Sequence, residues 1–216
     1  MIKTSVVIPN YNGIKYIDNC LDSLYKSMDD EYKFDIIVVD NGSTDGSLEL
    51  VKDKYPGVIL LELYENTGFA YAVNRGIELA TTEYVLLLNN DIVVDDCMVT
   101  FLEQAIEEEK RAFSVNSMML SMADENIIDG TGDYYCALGW AYARCKDKDI
   151  RKYRYGLGKR ELFSCCAGAA IYRKSIFDEI GLFDLDHFAY LEDFCWQDHT
   201  RVMLAPSALR RRSISS

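Results

Sequence analysis

Short apolar runs alternate with stretches of helical period through the first half of the chain. Residues 5–8 (SVVI) form a first apolar run, closed by Pro9. Tyr16, Ile17, Cys20, Leu21, Leu24, Tyr25 and Met28 then recur at three and four residues, the spacing of one helix face. A second run at 35–39 (DIIVV) ends in Asp40-Asn41-Gly42-Ser43-Thr44-Asp45, a turn followed by a helix over 46–54. A third run at 58–61 precedes Phe69, Ala72, Val73, Gly76, Ile77 and Ala80, again at helical spacing. A fourth, Tyr84–Leu88 (YVLLL), is followed by the stripe Met98, Phe101, Leu102, Ala105 and Ile106. Residues 112–115 read as a fifth strand. Strands that are apolar without alternation are buried on both faces, as in parallel sheets. Four strand–helix units in succession therefore predict an α/β fold with a doubly wound, mostly parallel sheet.

The first, second and fourth strands end in Asn10-Tyr11-Asn12, Asp40-Asn41 and Asn89-Asn90-Asp91. Asn and Asp are ordinary turn residues, so one such cluster says little. Three of them at the carboxyl ends of parallel strands converge on one rim, where open α/β sheets bind ligands. The ligand class narrows by elimination. A dinucleotide fingerprint needs GxGxxG after the first strand, and that position reads Pro9-Asn10-Tyr11-Asn12-Gly13. No GxxxxGK[ST] loop is present either. The remaining way to hold phosphates is a cation: Asp91, with a second oxygen ligand, can bind Mg2+ or Mn2+ against a diphosphate. Asp40 is suited to a base or ribose.

Composition removes other classes. The net charge is −12, with 35 acidic against 23 basic residues, which argues against a nucleic-acid partner. The seven cysteines include the adjacent Cys165 and Cys166 but no CxxC pair, so neither a zinc site nor a disulfide scaffold is expected. The 49% hydrophobic content supplies a real core, yet no apolar run reaches the roughly 18 residues of a spanning helix. The amino terminus shows no secretory pattern. A cytoplasmic protein is expected, with peripheral contact at the inner face of a membrane left open.

Beyond residue 118 the pattern changes. Residues 119–158 have no sustained period and are expected to form a long loop, with the charged run 146–152 exposed. Residues 163–172 (FSCCAGAAIY) read as a strand whose small side chains reflect either a nearby bound molecule or tight packing. Lys174–Ile180 reads as a helix ended by Gly181. Residues 205–216 carry Arg210-Arg211-Arg212 without apolar periodicity and are expected to be a disordered tail. His187 and His199, the only histidines, receive no metal role.

Taken together, Pro9-x-Tyr11-Asn12, IIVVDNGSTDGS at 36–47, ENTGFAYAVNRGI at 65–77, LLLNND at 86–91, GLFD at 181–184 and Glu192-Asp193 resemble the inverting family 2 glycosyltransferases. The likeness runs over residues 3–194 and is nearest to the rhamnosyltransferase-like bacterial subgroup. It implies a GT-A, Rossmann-like fold: 1–118 as the nucleotide-sugar-binding half, 119–204 as the acceptor-side half. It implies an enzyme moving a sugar from a UDP- or dTDP-sugar to a hydroxyl of a bacterial cell-surface or lipid-linked glycan. Pro9, Tyr11, Asn12 and Asp40 would border the nucleoside. Asn66, Gly68 and Asn74 would close over it. Asn89, Asn90 and Asp91 stand at the DxD position, with Asn replacing the first acid. Asp91 would be the Mg2+ or Mn2+ ligand and Asn89 a weaker, neutral contributor. The segment around Cys166 and Gly168 would line the donor sugar and acceptor. Asp193, paired with Glu192, would be the general base, although an acidic pair at a helix start reads the same way.

The likeness weakens beyond Asp193. Trp196 keeps its place, but Gln197 stands where Arg is usual, and relatives continue for many tens of residues. A truncated or frame-altered chain is expected. Two alternatives follow: a nucleotide-sugar-binding relic with transfer impaired, or a sugar-nucleotide nucleotidyltransferase. The latter lacks its glycine-rich loop after strand one.

Overall fold

The structure, a computed structural model, describes residues 2–135, 141–153, 161–162, 164–186 and 202–211. In chain order the first half comprises β1 (Thr4–Asn10), α1 (Ile17–Ser27), β2 (Asp35–Asn41), α2 (Ser47–Lys54), β3 (Ile59–Leu63), α3 (Phe69–Leu79), β4 (Tyr84–Leu88), β5 (Ile92–Val93) and α4 (Met98–Glu108). The second half adds β6 (Ser114–Ser121), β7 (Ile127–Gly130), β8 (Asp133–Tyr135), β9 (Ala141–Ala143), β10 (Lys148–Asp149) and α5 (Ile150–Tyr153). It closes with β11 (Glu161–Leu162), β12 (Ala169–Arg173), α6 (Lys174–Ile180) and β13 (Val202–Arg211).

β3, β2, β1 and β4 lie side by side in parallel, and β12 and β6 continue the sheet on the far side of β4. β12 is antiparallel to both β4 and β6. The middle of β1 and of β2 and all of β4 are apolar because both faces of these strands are covered. Val6, Ile8, Ile36, Val38, Leu86 and Leu88 join α1 and α4 in one core cluster. Val7, Ile37, Val39, Val85 and Leu87 join α3 and Phe177 of α6 in the other. The period-2 alternation of a strand thus splits one continuous apolar run between two cores.

Three expectations change. First, β1 does not stop at Pro9. Pairing with β4 ends at Val7, so the missing N–H of Pro9 falls where one ladder has already finished, and β1 continues beside β2 to Asn10. Second, residues 119–158 are not one loop. β6 runs to Ser121, β7 and β10 pair beyond it, and β8 and β9 form a separate ribbon. These strands are too short to leave a periodic signal. Third, the tail expected to be disordered is strand through residue 211: β13 runs parallel along β6 from Val202–Ser114 to Arg211–Ser121. Main-chain pairing needs no apolar period, so no local pattern announces this strand. Residues 212–216 lie outside the described residues.

Gly76 sets how closely α3 approaches the sheet. A Cβ there would sit 2.3 Å from Val7 Cγ1 and 3.1 Å from Val39 Cγ2. Helix propensity favours alanine by about 1 kcal/mol. Overpacking against a stiff, fully buried valine costs about 1–3 kcal/mol, so the clash wins. Gly76→Ala is expected to lower the urea midpoint, a net loss on the order of 1 kcal/mol, with the m-value unchanged. A raised midpoint would show that α3 has room to move outward.

Candidate active site

The register places Asn10 opposite Asp40, and β4 runs parallel to β1 on its other side. The carboxyl ends of the three strands therefore lie at one end of the sheet, and side chains join them. Asn10 is buried. Its Nδ2 faces Ser47 Oγ at 3.0 Å, Ser43 Oγ at 3.2 Å and Asp40 Oδ1 at 3.4 Å. Its Oδ1 accepts from Asn90 Nδ2 at 2.7 Å. Gly13 lies over this junction, where a Cβ would come within 2.2 Å of Asn10 Oδ1 and 2.3 Å of Asn90 Nδ2. Only a residue without a side chain fits there. The expected rim is thus observed, and Asn10 is its centre.

The loops above the strand ends are tied to each other. Asn12 donates its backbone N–H to Ser43 Oγ and accepts from the Thr44 backbone on Oδ1. Asp45 accepts from the Ile14 backbone at 2.8 Å, from the Ser47 backbone at 3.0 Å and from the Ser47 hydroxyl at 2.6 Å. Burial alone would raise the Asp45 carboxyl, but the Ser47 hydroxyl and the backbone donors outweigh it and hold it below the usual range. Tyr11 is half-exposed beside this clamp, and Pro9 is partly buried.

Asp40 is buried at the end of β2 and accepts the Ser43 backbone N–H on Oδ2 at 3.0 Å. Its neighbour Asn41 latches the loop before α3. Asn41 donates to Asn66 Oδ1 and to the Gly68 carbonyl, each at 3.1 Å, and accepts from Thr67 N and Oγ1 at 2.9 and 2.8 Å. Gly42, at φ +78°, lets the loop approach, since a Cβ would lie 2.9 Å from the Glu65 backbone. Asn66 is exposed on this latched loop, and Gly68 begins α3. Asn74 stands apart. It is buried, and its amide spans the Phe183 backbone, donating at 2.8 Å and accepting at 3.0 Å. That bond fixes α3 to the segment after α6.

At the end of β4, Asn89 donates its N–H to the Gly168 carbonyl at 2.9 Å. Its carbonyl accepts from the Cys20 thiol at 3.7 Å. Burial pushes the Cys20 thiol far up, and the nearby Asp91 charge adds to this, so Cys20 stays a neutral donor. A Cβ on Gly168 would sit 3.3 Å from Asn89 Nδ2 and 3.4 Å from Cys166 Sγ. Tight packing accounts for the small residues of this segment in the described structure. Ala169, Ala170 and Ile171 are packed inside the sheet as β12, while Cys166 and Gly168 lie against Asn89.

Two residues that the sequence reading passed over hold that segment. Buried Asn116 accepts the Cys166 N–H at 2.8 Å, and Ser117 donates to the Ala169 carbonyl at 2.8 Å. The strand expected over residues 112–115 stops short of them, whereas β6 continues through them. Among the described residues no group of three or more His, Cys, Asp or Glu side chains gathers as a metal site. Glu192 and Asp193 lie outside the described residues.

The sequence profile of glycosyl transferase family 2 matches residues 5–181. The chain belongs to glycosyl transferase family 2. Its mixed α/β architecture is the family's GT-A fold. Among curated members, it is 39% identical over 94 residues to a poly(ribitol-phosphate) beta-glucosyltransferase of Bacillus spizizenii, covering 42% of this chain and 15% of that protein. It is 32% identical over 105 residues to a teichoic acid poly(glycerol phosphate) polymerase of Staphylococcus epidermidis, covering 47% and 14%. The chain thus spans about a seventh of the length of these two family members. Among solved structures, S. aureus TarS 1–349 in complex with UDP superposes with a TM-score of 0.69 at 20% identity, covering 98% of this chain and 61% of that one. GalNAc-T7 with UDP, GalNAc and Mn2+ gives 0.78 at 17%, covering 99% and 44%. At these identities the superpositions bear on the family's fold alone.

The Asp45 clamp makes a pH prediction. Its carboxyl is lowered in the folded protein, so its contribution is complete above the ordinary carboxylate value and is lost as the pH falls through the lowered one. Asp45→Ala is expected to cost about 1 kcal/mol at neutral pH in urea unfolding. The gap between variant and wild type should close below about pH 4. A gap unchanged at acid pH would mean that the carboxylate's charge plays no part in the clamp.

Proposed function

We propose that this chain is the donor-binding portion of an inverting, metal-dependent glycosyltransferase. The donor is a UDP- or dTDP-sugar, and the acceptor is a hydroxyl of a bacterial cell-surface or lipid-linked glycan. The observation that carries the proposal is the meeting of Asp40 and Asn90, next to Asp91, through Asn10 at one end of the parallel sheet. Family membership supports transferase chemistry. The relatives named for teichoic acid polymers, and the rhamnosyltransferase-like cast of the motifs, favour a bacterial surface glycan. The fold neighbour solved with UDP favours a uridine diphosphate leaving group.

In this reading Pro9, Tyr11, Asn12 and Asp40 border the nucleoside, with Asp40 accepting hydrogen bonds from it. The latched loop carrying Asn66 and Gly68 covers the nucleotide. Asn74 acts from below, by holding α3 in place through Phe183. The donor set at the end of β4 is one carboxylate, Asp91, beside the amides of Asn89 and Asn90. Mg2+ and Mn2+ accept such a set when phosphate oxygens and waters complete the shell, so the residues fit that cation. Bound there, the cation would neutralise charge on the departing diphosphate. Asp193, beside Glu192, takes the proton from the acceptor hydroxyl. The hydroxyl oxygen bonds to the anomeric carbon as the bond to the diphosphate breaks on the opposite face, which inverts the configuration. Among the described residues no helix is long and apolar enough to cross a membrane. We place the reaction in the cytoplasm, where a lipid-linked acceptor would bring the enzyme to the inner membrane face.

The test is thermal stabilisation by UDP and dTDP with and without Mn2+, followed by donor turnover. A Mn2+-dependent shift is expected, absent in Asp91→Ala. Turnover should fall about 10²–10⁴-fold in Asp193→Asn with UDP binding retained. Binding without turnover in the wild type would favour the catalytically impaired alternative. A shift with NAD or ATP in place of UDP would overturn the reading.

A further inference from the structure

We propose that Asn10 is a positioning residue that fixes which atom of the Asn90 amide is offered beside Asp91. This rests on the donor site proposed above and assigns it a part that the motifs do not. Hydrogen-bond polarity is passed along four side chains. Asp40 is a carboxylate and can only accept. Ser47 spends its hydroxyl hydrogen on Asp45 Oδ1 at 2.6 Å, so toward Asn10 it too can only accept. Both face Asn10 within hydrogen-bond reach, which obliges Asn10 to turn its NH2 toward β2 and α2. The Asn10 carbonyl oxygen then faces β4 and can only accept. Asn90 must therefore present its own NH2, which it does at 2.7 Å.

An amide has one nitrogen and one oxygen at its tip. With the nitrogen committed to Asn10, the Asn90 oxygen is the atom turned away from that bond. Asn90 is only half-buried, unlike Asn10. Its oxygen is a hard, neutral ligand of the kind that Mg2+ and Mn2+ accept. Had the polarity run the other way, the rim would present an NH2, which repels a cation. The chain Asp40–Asn10–Asn90 thus links the nucleoside end of the site to its diphosphate end through one buried amide. Asn10 touches no donor atom in this scheme. It acts through Asn90, and Gly13 keeps the junction closed.

The experiment is UDP binding by calorimetry to the full chain, in Mn2+ and in EDTA. Wild type is compared with Asn10→Ala, Asn90→Ala and the double variant. Each single change is expected to cut the Mn2+-dependent gain in UDP affinity by about tenfold, as for other groups that orient a metal ligand. Binding in EDTA should fall by less than the Mn2+-dependent gain does. The double variant should be no worse than the poorer single one, because both remove the same link. An undiminished Mn2+ gain in folded Asn10→Ala, or additive losses, would overturn the proposal. Urea unfolding checks that buried Asn10→Ala folds. If it does not, Asn90→Ala decides alone: a wild-type Mn2+ gain there overturns the relay. A wild type that shows no Mn2+ gain at all overturns the metal site itself, which is a separate failure.

Discussion

The site depends on one constraint: a buried amide at the end of a central strand must be satisfied. Leaving a buried polar group unpaired costs about 1–3 kcal/mol. Asn10 meets that demand with partners from β2, the loop before α2, and the end of β4. None of these segments can drift without breaking its bond. The parallel register brings the strand ends to one level, and the Asn10 bonds then hold their tips within a few ångströms. Geometry at the rim is therefore set jointly by the sheet register and by the loop residues that bond to Asn10.

A second buried polar cluster lies at the opposite end of the sheet and contrasts with the rim of the proposed site. Glu103 of α4 accepts from Thr4 at 2.6 Å and from Tyr32 at 2.7 Å, at the amino end of β1. Burial pushes the Tyr32 hydroxyl up, and its bond to Glu103 adds to this, so it remains a donor. This closed set joins α4 to the sheet and sits at the end where parallel α/β sheets do not bind ligands. Ion pairs such as Lys54 with Asp18 and Asp22 are half-exposed and contribute little to stability. Polar chemistry occurs at both ends of the sheet, but at the carboxyl end it joins the tips of three parallel strands through one side chain.

The repeating half of the fold was legible because β1, β2 and β4 are buried on both faces and its helices on one. Both patterns are local, and Tyr84–Leu88 and Lys174–Ile180 emerge with the bounds that the sequence predicts. The convergence of Asp40 with the end of β4 was legible for a related reason, since parallel strands must end together. The hub at Asn10 was not. In the sequence it is one polar residue after a proline, and only the register shows that it faces both neighbours. The second half resisted because its strands are two to five residues long, apart from β6 and β13. The latter is placed by main-chain pairing with β6, a long-range contact that no window of sequence contains. Asn116 and Ser117 were lost for the opposite reason: polar side chains inside a strand look like its end.

The identity of the residues at the end of β4 bears on the order of binding in the proposed reaction. A rim with two acids would draw a divalent cation before any nucleotide arrived. Here Asp91 is the single carboxylate of the triplet, and the amides add oxygen ligands without charge. Asp40 lies across the rim, and the diphosphate brings further negative charge. Replacing an acid by Asn89 removes one repulsion that the donor would otherwise meet. It also leaves the cation dependent on phosphate oxygens for most of its charge balance. A cation bound there and the nucleotide would stabilise each other's binding, each raising the other's affinity by the same factor by linkage. A cation held mainly by the leaving group would be released with it. That suits a site in which the diphosphate must be released after each transfer, and in which the permanent framework is the neutral amide link running from β2 through Asn10 to Asn90.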